Sequence, residues 1–194
     1  MLYAWDGARM RFQADMIGAG VMGSGIAAHF ANAGVPVLLL DIVPKGATDR
    51  NVIAEGALAR MAKADPAPFM SKSAARLVTP GNTEDDLGKL AGCDWIVEAV
   101  LEDPAVKQDL YARIEQVMKP GAAVSSNTST IPITSLAKNS KRPDKFIGVH
   151  FFSPVDKMML VEIILGKKTG EVAHINVPMG VIRYEVLEII FAES

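Results

Sequence analysis

Apolar residues in this chain fall into short unbroken runs, separated by longer stretches in which they recur every three or four positions. The runs at Phe12–Ile17, "VPVLLLDI" (Val35–Ile42) and "CDWIVEAV" (Cys93–Val100) read as strands buried on both faces. "AAVSSNTS" (Ala122–Ser129), "FIGVHFF" (Phe146–Phe152) and "LVEIILG" (Leu160–Gly166) read the same way. Between them the helical period predicts a helix over Val21–Ala33, closed by Gly34. A second helix is predicted over Ala47–Lys63, ended by Pro66 and Pro68, with a short piece near Ser71–Arg76. A further helix is predicted over Glu102–Met118, with Asp103 as N-cap, Pro104 at the first helical position, and an apolar face of Val106, Leu110, Ile114 and Val117. This alternation predicts an α/β fold: a Rossmann-type, doubly wound, mostly parallel sheet with helices on both faces. One charge breaks the pattern, Asp15 inside the first strand.

Composition narrows the class without changing the fold. The chain has 194 residues, 49% hydrophobic and 22% charged, with a formal net charge of −2. That profile fits a globular domain with one substantial core and gives no basic excess for nucleic acid. A single cysteine, Cys93, excludes an internal disulfide and points to a reducing compartment, with the cytoplasm as the default. No apolar run reaches the roughly 20 residues of a membrane span. "MLYAWDGARMRF" does not read as a secretory signal. No spacing suggests a metal site.

Chemistry enters at "IGAGVMGSGIA", where Gly18, Gly20 and Gly23 form a G-x-G-x-x-G pattern between a predicted strand and a predicted helix. In a dinucleotide clamp the first glycine makes the tight turn, the second admits the pyrophosphate, and the third lets helix and strand pack closely. The helix start, at Val21 and Met22, then presents unpaired N–H groups to the anion. Asp41 ends the second strand 18 residues after Gly23, where an acid can bond both ribose hydroxyls. An acid there repels a 2′-phosphate, so the expected cofactor is NAD and not NADP. The competing reading makes Asp41 a strand-end cap.

Ligands of open α/β sheets sit at the carboxyl ends of the strands, and three polar residues fall there: Ser129, His150 and Glu162. Histidine is the natural acid/base near neutral pH, and a glutamate flanked by Val161, Ile163 and Ile164 is costly to bury without a partner. On spacing alone, His150 reads equally as a core histidine and Ser129 as a loop residue. His29 falls within a predicted helix, His174 in a weakly patterned segment, and Cys93 has no basic neighbour, so each takes a structural reading.

"GAGVMGSGIA", "VEAVLEDPAVKQDLY", "SSNTSTIPITSLA" and "GVHFFSPVDKMMLVEII", in this order and spacing, resemble the NAD-binding domain of L-3-hydroxyacyl-CoA dehydrogenases, closest to the version in multifunctional fatty-acid oxidation proteins. The resemblance covers residues 12–170. It implies NAD-dependent oxidation of an L-3-hydroxyacyl-CoA to the 3-ketoacyl-CoA, a step of β-oxidation. It also implies roles for His150 as catalytic base, Glu162 as its partner, and Ser129 near the substrate 3-oxygen. Gly18, Gly20, Val21, Met22, Gly23 and Asp41 match the adenosine and pyrophosphate contacts, and Glu102 and Lys107 a pair near the nicotinamide ribose. Ser153 stands where many members carry an asparagine near the nicotinamide. Without the resemblance, Glu102 and Lys107 read as a solvated helix start.

The ends are expected to depart from the family. Residues 1–11 and 171–194 have no counterpart, and the C-terminal helical dimerisation domain that closes the acyl-CoA site is expected to be absent. An acyl-CoA substrate is implied, with homodimerisation or association with other β-oxidation domains as alternatives. Lys45, Lys63, Lys72 and Arg76 lie in the region matching the CoA contacts and read as solvated charge. Two other readings stay open: an NAD-binding module without turnover, and an oxidoreductase for small 3-hydroxy acids.

Overall fold

Continuous apolar runs become central strands because both faces of the sheet are covered. The computed structural model describes residues 12–158, 160–170 and 185–189. Residues 1–11, His174 and most of 171–194 lie outside the described residues, so the expectations placed on them have no structural counterpart here. In chain order the elements are β1 (Ala14–Ile17), α1 (Val21–Asn32), β2 (Val37–Asp41), α2 (Val52–Lys63), α3 (Lys72–Ala75), β3 (Val78–Asn82), β4 (Trp95–Glu98), α4 (Pro104–Val117), β5 (Ala123–Ser126), α5 (Ile133–Leu136), β6 (Phe146–Phe151), β7 (Leu160–Ile164) and β8 (Glu185–Ile189).

The strands form one sheet in the order β3-β2-β1-β4-β5-β6-β7-β8. Every neighbouring pair is parallel except β6 with β7, so the Rossmann-type, mostly parallel sheet is confirmed. The period-two side-chain alternation sorts the core into two layers. Met16, Leu39, Trp95 and Val97 pack with Ile26, Phe30 and Ala57 of α1 and α2 on one face. Ile17, Leu40, Ile96 and Val124 pack with Leu110, Ile114 and Leu136 of α4 and α5 on the other. After β1 the chain moves outward through β2 and β3, then returns to place β4 on the other side of β1. The topological switch therefore lies between the ends of β1 and β4, the crevice in which such sheets bind nucleotides.

Several boundaries differ from the periodicity. β3 carries Pro80 and Gly81 and pairs only with β2. A strand at the sheet edge tolerates a proline that a central strand would not, and that proline hid it from the pattern. α2 starts at Val52 rather than Ala47, because a turn closes from Ala47 N–H to the Pro44 carbonyl and Asp49 then accepts from Asn51 N–H. α4 begins as expected, with Asp103 accepting from the N–H groups of Ala105 and Val106 and Pro104 first in the helix. Its buried face is rotated, however: Lys107, Leu110, Tyr111 and Ile114 are buried and Val106 is exposed. A lysine took an inward position that hydrophobic spacing alone assigned elsewhere.

Asp15 now has a physical account. Its fully buried carboxylate accepts from the N–H of Leu38 at 3.0 Å and from the Gln13 amide at 3.0 and 3.1 Å, joining β1 to β2. Burial pushes its pKa up against these bonds, which favour the ionised form. Cys93, also buried, donates to the Trp95 carbonyl at 2.9 Å, and burial pushes its thiol pKa up, as a packing residue requires.

Candidate active site

The glycine loop is built around close contacts. Gly18 follows β1 with φ +105° and donates to the Leu40 carbonyl at 2.8 Å; a Cβ there would lie 2.5 Å from the Ala99 carbonyl oxygen, at the end of β4. A Cβ on Gly23 would lie 1.7 Å from the Gly18 carbonyl oxygen, so α1 packs on the loop only because that atom is missing. A Cβ on Gly20 would meet nothing within 4 Å. Gly20 is the N-cap of α1, no side chain caps it, and no acid stands in the first turn. Val21 at the helix start is exposed. The result is an open cradle of unpaired N–H groups at the positive end of a helix dipole, which fits a pyrophosphate. Asp41 completes it. Its Oδ2 accepts from Ala19 N–H at 2.6 Å and its Oδ1 from Ile42 N–H at 2.7 Å, which fixes the carboxylate beside the loop. Each oxygen keeps a lone pair for a ribose hydroxyl.

His150 and Glu162 are brought together by strand pairing. They stand directly opposite each other in the antiparallel β6/β7 register, with His150 Nδ1 2.8 Å from Glu162 Oε2. Both side chains are mostly covered, at 17% and 23% exposure, so the pair is shielded yet reachable. An ionised carboxylate only accepts, so the proton of a neutral imidazole sits on Nδ1 and Nε2 is left as a free base. The Phe152 ring lies 4.6 Å from the imidazole, centroid to centroid. Because β1, β4, β5 and β6 run parallel, His150 lies toward the same sheet edge as the glycine loop. The chain after His150 returns to α1: a Cβ on Gly25 would lie 3.2 Å from Val155 Cγ2.

Ser129 is not on a strand. β5 ends at Ser126, and Asn127 then turns its side chain to accept from Phe151 N–H at 2.8 Å. Thr128 Oγ1 accepts from Ile131 N–H at 3.0 Å, and Ser129 stands exposed in the resulting turn. Ser153 is likewise exposed, just past the end of β6.

Glu102 and Lys107 meet in an ion pair, Lys107 Nζ to Glu102 Oε2 at 3.1 Å, but they are not a solvated helix start. Lys107 is 1% exposed because its ammonium also bonds Glu98 Oε1 at 2.7 Å, and Glu98 is fully buried. Glu102 is 39% exposed, and its other oxygen accepts from the hydroxyls of Thr128 and Thr130. Burial raises the Glu102 pKa, and the bonds from Thr128 and Lys107 more than reverse this, leaving it below the ordinary value. Glu98, Asn127, Thr128 and Thr130 were not singled out from the sequence. For Glu98 the signal existed: an acid in the apolar run "WIVEAV" is the same anomaly that marked Glu162.

Lys45, Lys63, Lys72 and Arg76 are exposed, as solvated charges are. Among the described residues no cluster of His, Cys, Asp and Glu could hold a metal ion, and no helix is long and apolar enough to cross a membrane.

The chain is similar to known proteins over most of its length. A family model described as "3-hydroxyacyl-CoA dehydrogenase, NAD binding domain" matches residues 13–177. The chain is 47% identical over 161 residues to a probable 3-hydroxyacyl-CoA dehydrogenase of Deinococcus radiodurans, covering 81% of this chain and 46% of the relative. It is 43% identical over 161 residues to the fatty acid oxidation complex subunit alpha of Pseudomonas paraeruginosa, covering 82% of this chain and 22% of the relative. The crystal structure of 3-hydroxybutyryl-CoA dehydrogenase from Escherichia coli matches with a TM-score of 0.76 at 29% identity, covering 92% of this chain and 38% of that one. The chain spans less than half the length of each of these three. The family description also names the dinucleotide: NAD, as Asp41 predicts.

Proposed function

We propose, from the premise that this chain belongs to the 3-hydroxyacyl-CoA dehydrogenase family through its NAD-binding domain, that it takes part in the NAD-dependent oxidation of L-3-hydroxyacyl-CoA to 3-ketoacyl-CoA, a step of fatty-acid β-oxidation. The observation that carries this reading is the His150–Glu162 pair, 2.8 Å apart, on the strand edge that also holds the glycine cradle. A cradle alone describes any dinucleotide binder. An oriented base at the same end of the sheet is what a dehydrogenase adds.

The NAD-binding unit is taken as residues 12–170. Gly18, Gly20 and Gly23, with the helix start at Val21 and Met22, hold the pyrophosphate, and Asp41 holds the adenosine ribose. Glu102 and Lys107 serve the nicotinamide ribose, with Ser153 near the nicotinamide. When bound, NAD supplies the hydride acceptor. The chain's own residues supply the rest. His150 Nε2 takes the proton of the substrate hydroxyl, and Glu162 stabilises the imidazolium that forms, as an acid paired with a catalytic histidine does. Ser129 donates to the 3-oxygen as it gains carbonyl character, a contact that counts most where charge is changing. The imidazolium returns the proton in the reverse direction.

A helical substrate domain is proposed to complete the acyl-CoA pocket, through a homodimer or another β-oxidation domain. The cytoplasm is the proposed compartment, in line with the buried, free Cys93 and with bacterial relatives in fatty acid oxidation.

The test is NADH consumption with acetoacetyl-CoA, beside His150→Ala. Turnover that disappears in the variant supports the dehydrogenase reading. No turnover, with NADH fluorescence binding intact, assigns the chain the alternative role of an NAD-binding module.

A further inference from the structure

A carboxylate that no water reaches has to satisfy its charge inside the protein, and Glu98, at the end of β4, does so completely. Its Oε1 accepts from Lys107 Nζ at 2.7 Å and from Val100 N–H at 2.6 Å. Its Oε2 accepts from Tyr111 OH at 2.5 Å and from Ser126 Oγ at 2.7 Å. These donors come from the loop after β4, from α4 and from β5, so one side chain joins the three elements that border the far side of the switch crevice. Burial and the neighbouring charge of Glu98 push the Tyr111 pKa up, which keeps its proton in the bond to Oε2.

The network has a direction. Glu98 is fully buried, Lys107 is 1% exposed, and Glu102 is 39% exposed. Lys107 bridges the two acids, and Thr128 and Thr130 hold the other oxygen of Glu102. In a doubly wound sheet the two halves of a dinucleotide lie on opposite sides of the switch. Asp41, on β2, serves the adenosine side. The Glu98 network, on β4 and β5, therefore faces the nicotinamide side, and Glu102 is its exposed end.

We propose that Glu98 is a positioning residue for the nicotinamide half of the cofactor: it fixes the Lys107 ammonium, which with the two threonine hydroxyls holds Glu102 in one orientation toward the nicotinamide ribose. The inference rests on the NAD-binding reading given above. A purely structural ion pair would differ in one respect. Removing one partner of a buried pair leaves an uncompensated charge, which removing both charges together avoids, so a structural role is restored by the double replacement, and a positioning role is not.

The experiment titrates NADH and AMP separately, by fluorescence and calorimetry, on the parent chain, Glu98→Gln, Glu102→Gln and the double variant E98Q/K107M, with thermal unfolding recorded for each. In Glu98→Gln the Tyr111 and Ser126 hydroxyls can turn to accept from the new amide, while Lys107 loses its buried charged partner and keeps only Glu102. NADH is expected to bind about tenfold more weakly, as for one charge-assisted hydrogen bond, with AMP affinity unchanged. Glu102→Gln is expected to reproduce this selective loss. E98Q/K107M is expected to recover the parental melting temperature without recovering NADH affinity, and it decides the matter should Glu98→Gln not fold. Equal effects on NADH and AMP, no effect on either, or recovery of NADH affinity in the double variant would overturn the proposal. A parent chain that binds neither ligand would overturn the NAD reading itself, and this inference with it.

Discussion

Adding one methyl group at Gly20 and one at Gly23 separates the binding role of the cradle from its packing role. At Gly20 the backbone sits at φ −69°, ψ −169°, where any L-residue is comfortable, and a Cβ meets nothing within 4 Å. Gly20→Ala is therefore expected to change folding stability by no more than about 0.5 kcal/mol. In the proposed binding mode the same methyl stands in the space through which the pyrophosphate would reach the first N–H groups of α1. Each charge-assisted hydrogen bond lost there is worth about 1.5–3 kcal/mol, which makes NADH binding roughly ten- to a hundredfold weaker. At Gly23 the Cβ would lie 1.7 Å from the Gly18 carbonyl oxygen and 2.9 Å from its carbon. That gap has to open by more than about 1 Å, and overpacking on backbone costs about 1–3 kcal/mol or more. Gly23→Ala is expected to lower the melting temperature clearly. Circular dichroism melts and NADH fluorescence titrations on both variants measure the two effects. Parental NADH affinity in Gly20→Ala would refute the assignment of this crevice to the pyrophosphate. Equal loss of stability in the two variants would refute the packing distinction.

Glu162→Gln removes the charge that faces His150 Nδ1 and keeps the side-chain shape, so kcat with acetoacetyl-CoA is expected to fall about 100-fold or more with NADH affinity unchanged; steady-state kinetics beside a binding titration check this. Asp41→Asn keeps one acceptor for Ala19 N–H but removes the charge that repels a 2′-phosphate, so NADH is expected to weaken about tenfold and the preference over NADPH to narrow, as read by parallel titrations. Asp15→Asn tests the buried acid of β1. Because burial raises the Asp15 pKa, the folded chain holds that proton more tightly than the unfolded one, and the parent loses stability as pH rises above the ordinary 3.8. The variant is expected to be more stable than the parent at pH 7, with the gap closing as pH falls toward 3.8; urea melts across pH decide it, and a variant less stable at pH 7 would show that the Leu38 and Gln13 bonds outweigh desolvation.

The parts of the fold legible in the sequence were those in which local pattern and tertiary context agree. β1, β2, β4 and β6 are apolar runs buried on both faces, and the capping signal at Asp103–Pro104 marks the start of α4. β3 was hidden because Pro80 and Gly81 are permitted only by its edge position, which the local sequence does not carry. The glycine loop could be read because Gly18 and Gly23 each have a distinct steric job. The meeting of His150 and Glu162 was only suggested: an acid among β-branched residues demanded a partner, while the antiparallel register that supplies it is a property of the sheet. The face of α4 departs from the hydrophobic spacing at Val106, because that spacing ranks Lys107 as outward and only the buried Glu98 makes its inward position stable. The strand expected to run through Ser129 stops at Ser126, because side-chain bonds of Asn127 and Thr128 end β5 early.

In the proposed reaction hydride passes between NAD and C3 of an acyl-CoA while His150 handles the proton. Its most direct test uses NADH carrying deuterium at both C4 positions with acetoacetyl-CoA, followed by mass spectrometry of the product. The expected product is 3-hydroxybutyryl-CoA one mass unit heavier than with unlabelled NADH, and none is expected from His150→Ala. Product without the label, or labelled product at the parental rate from His150→Ala, would contradict it.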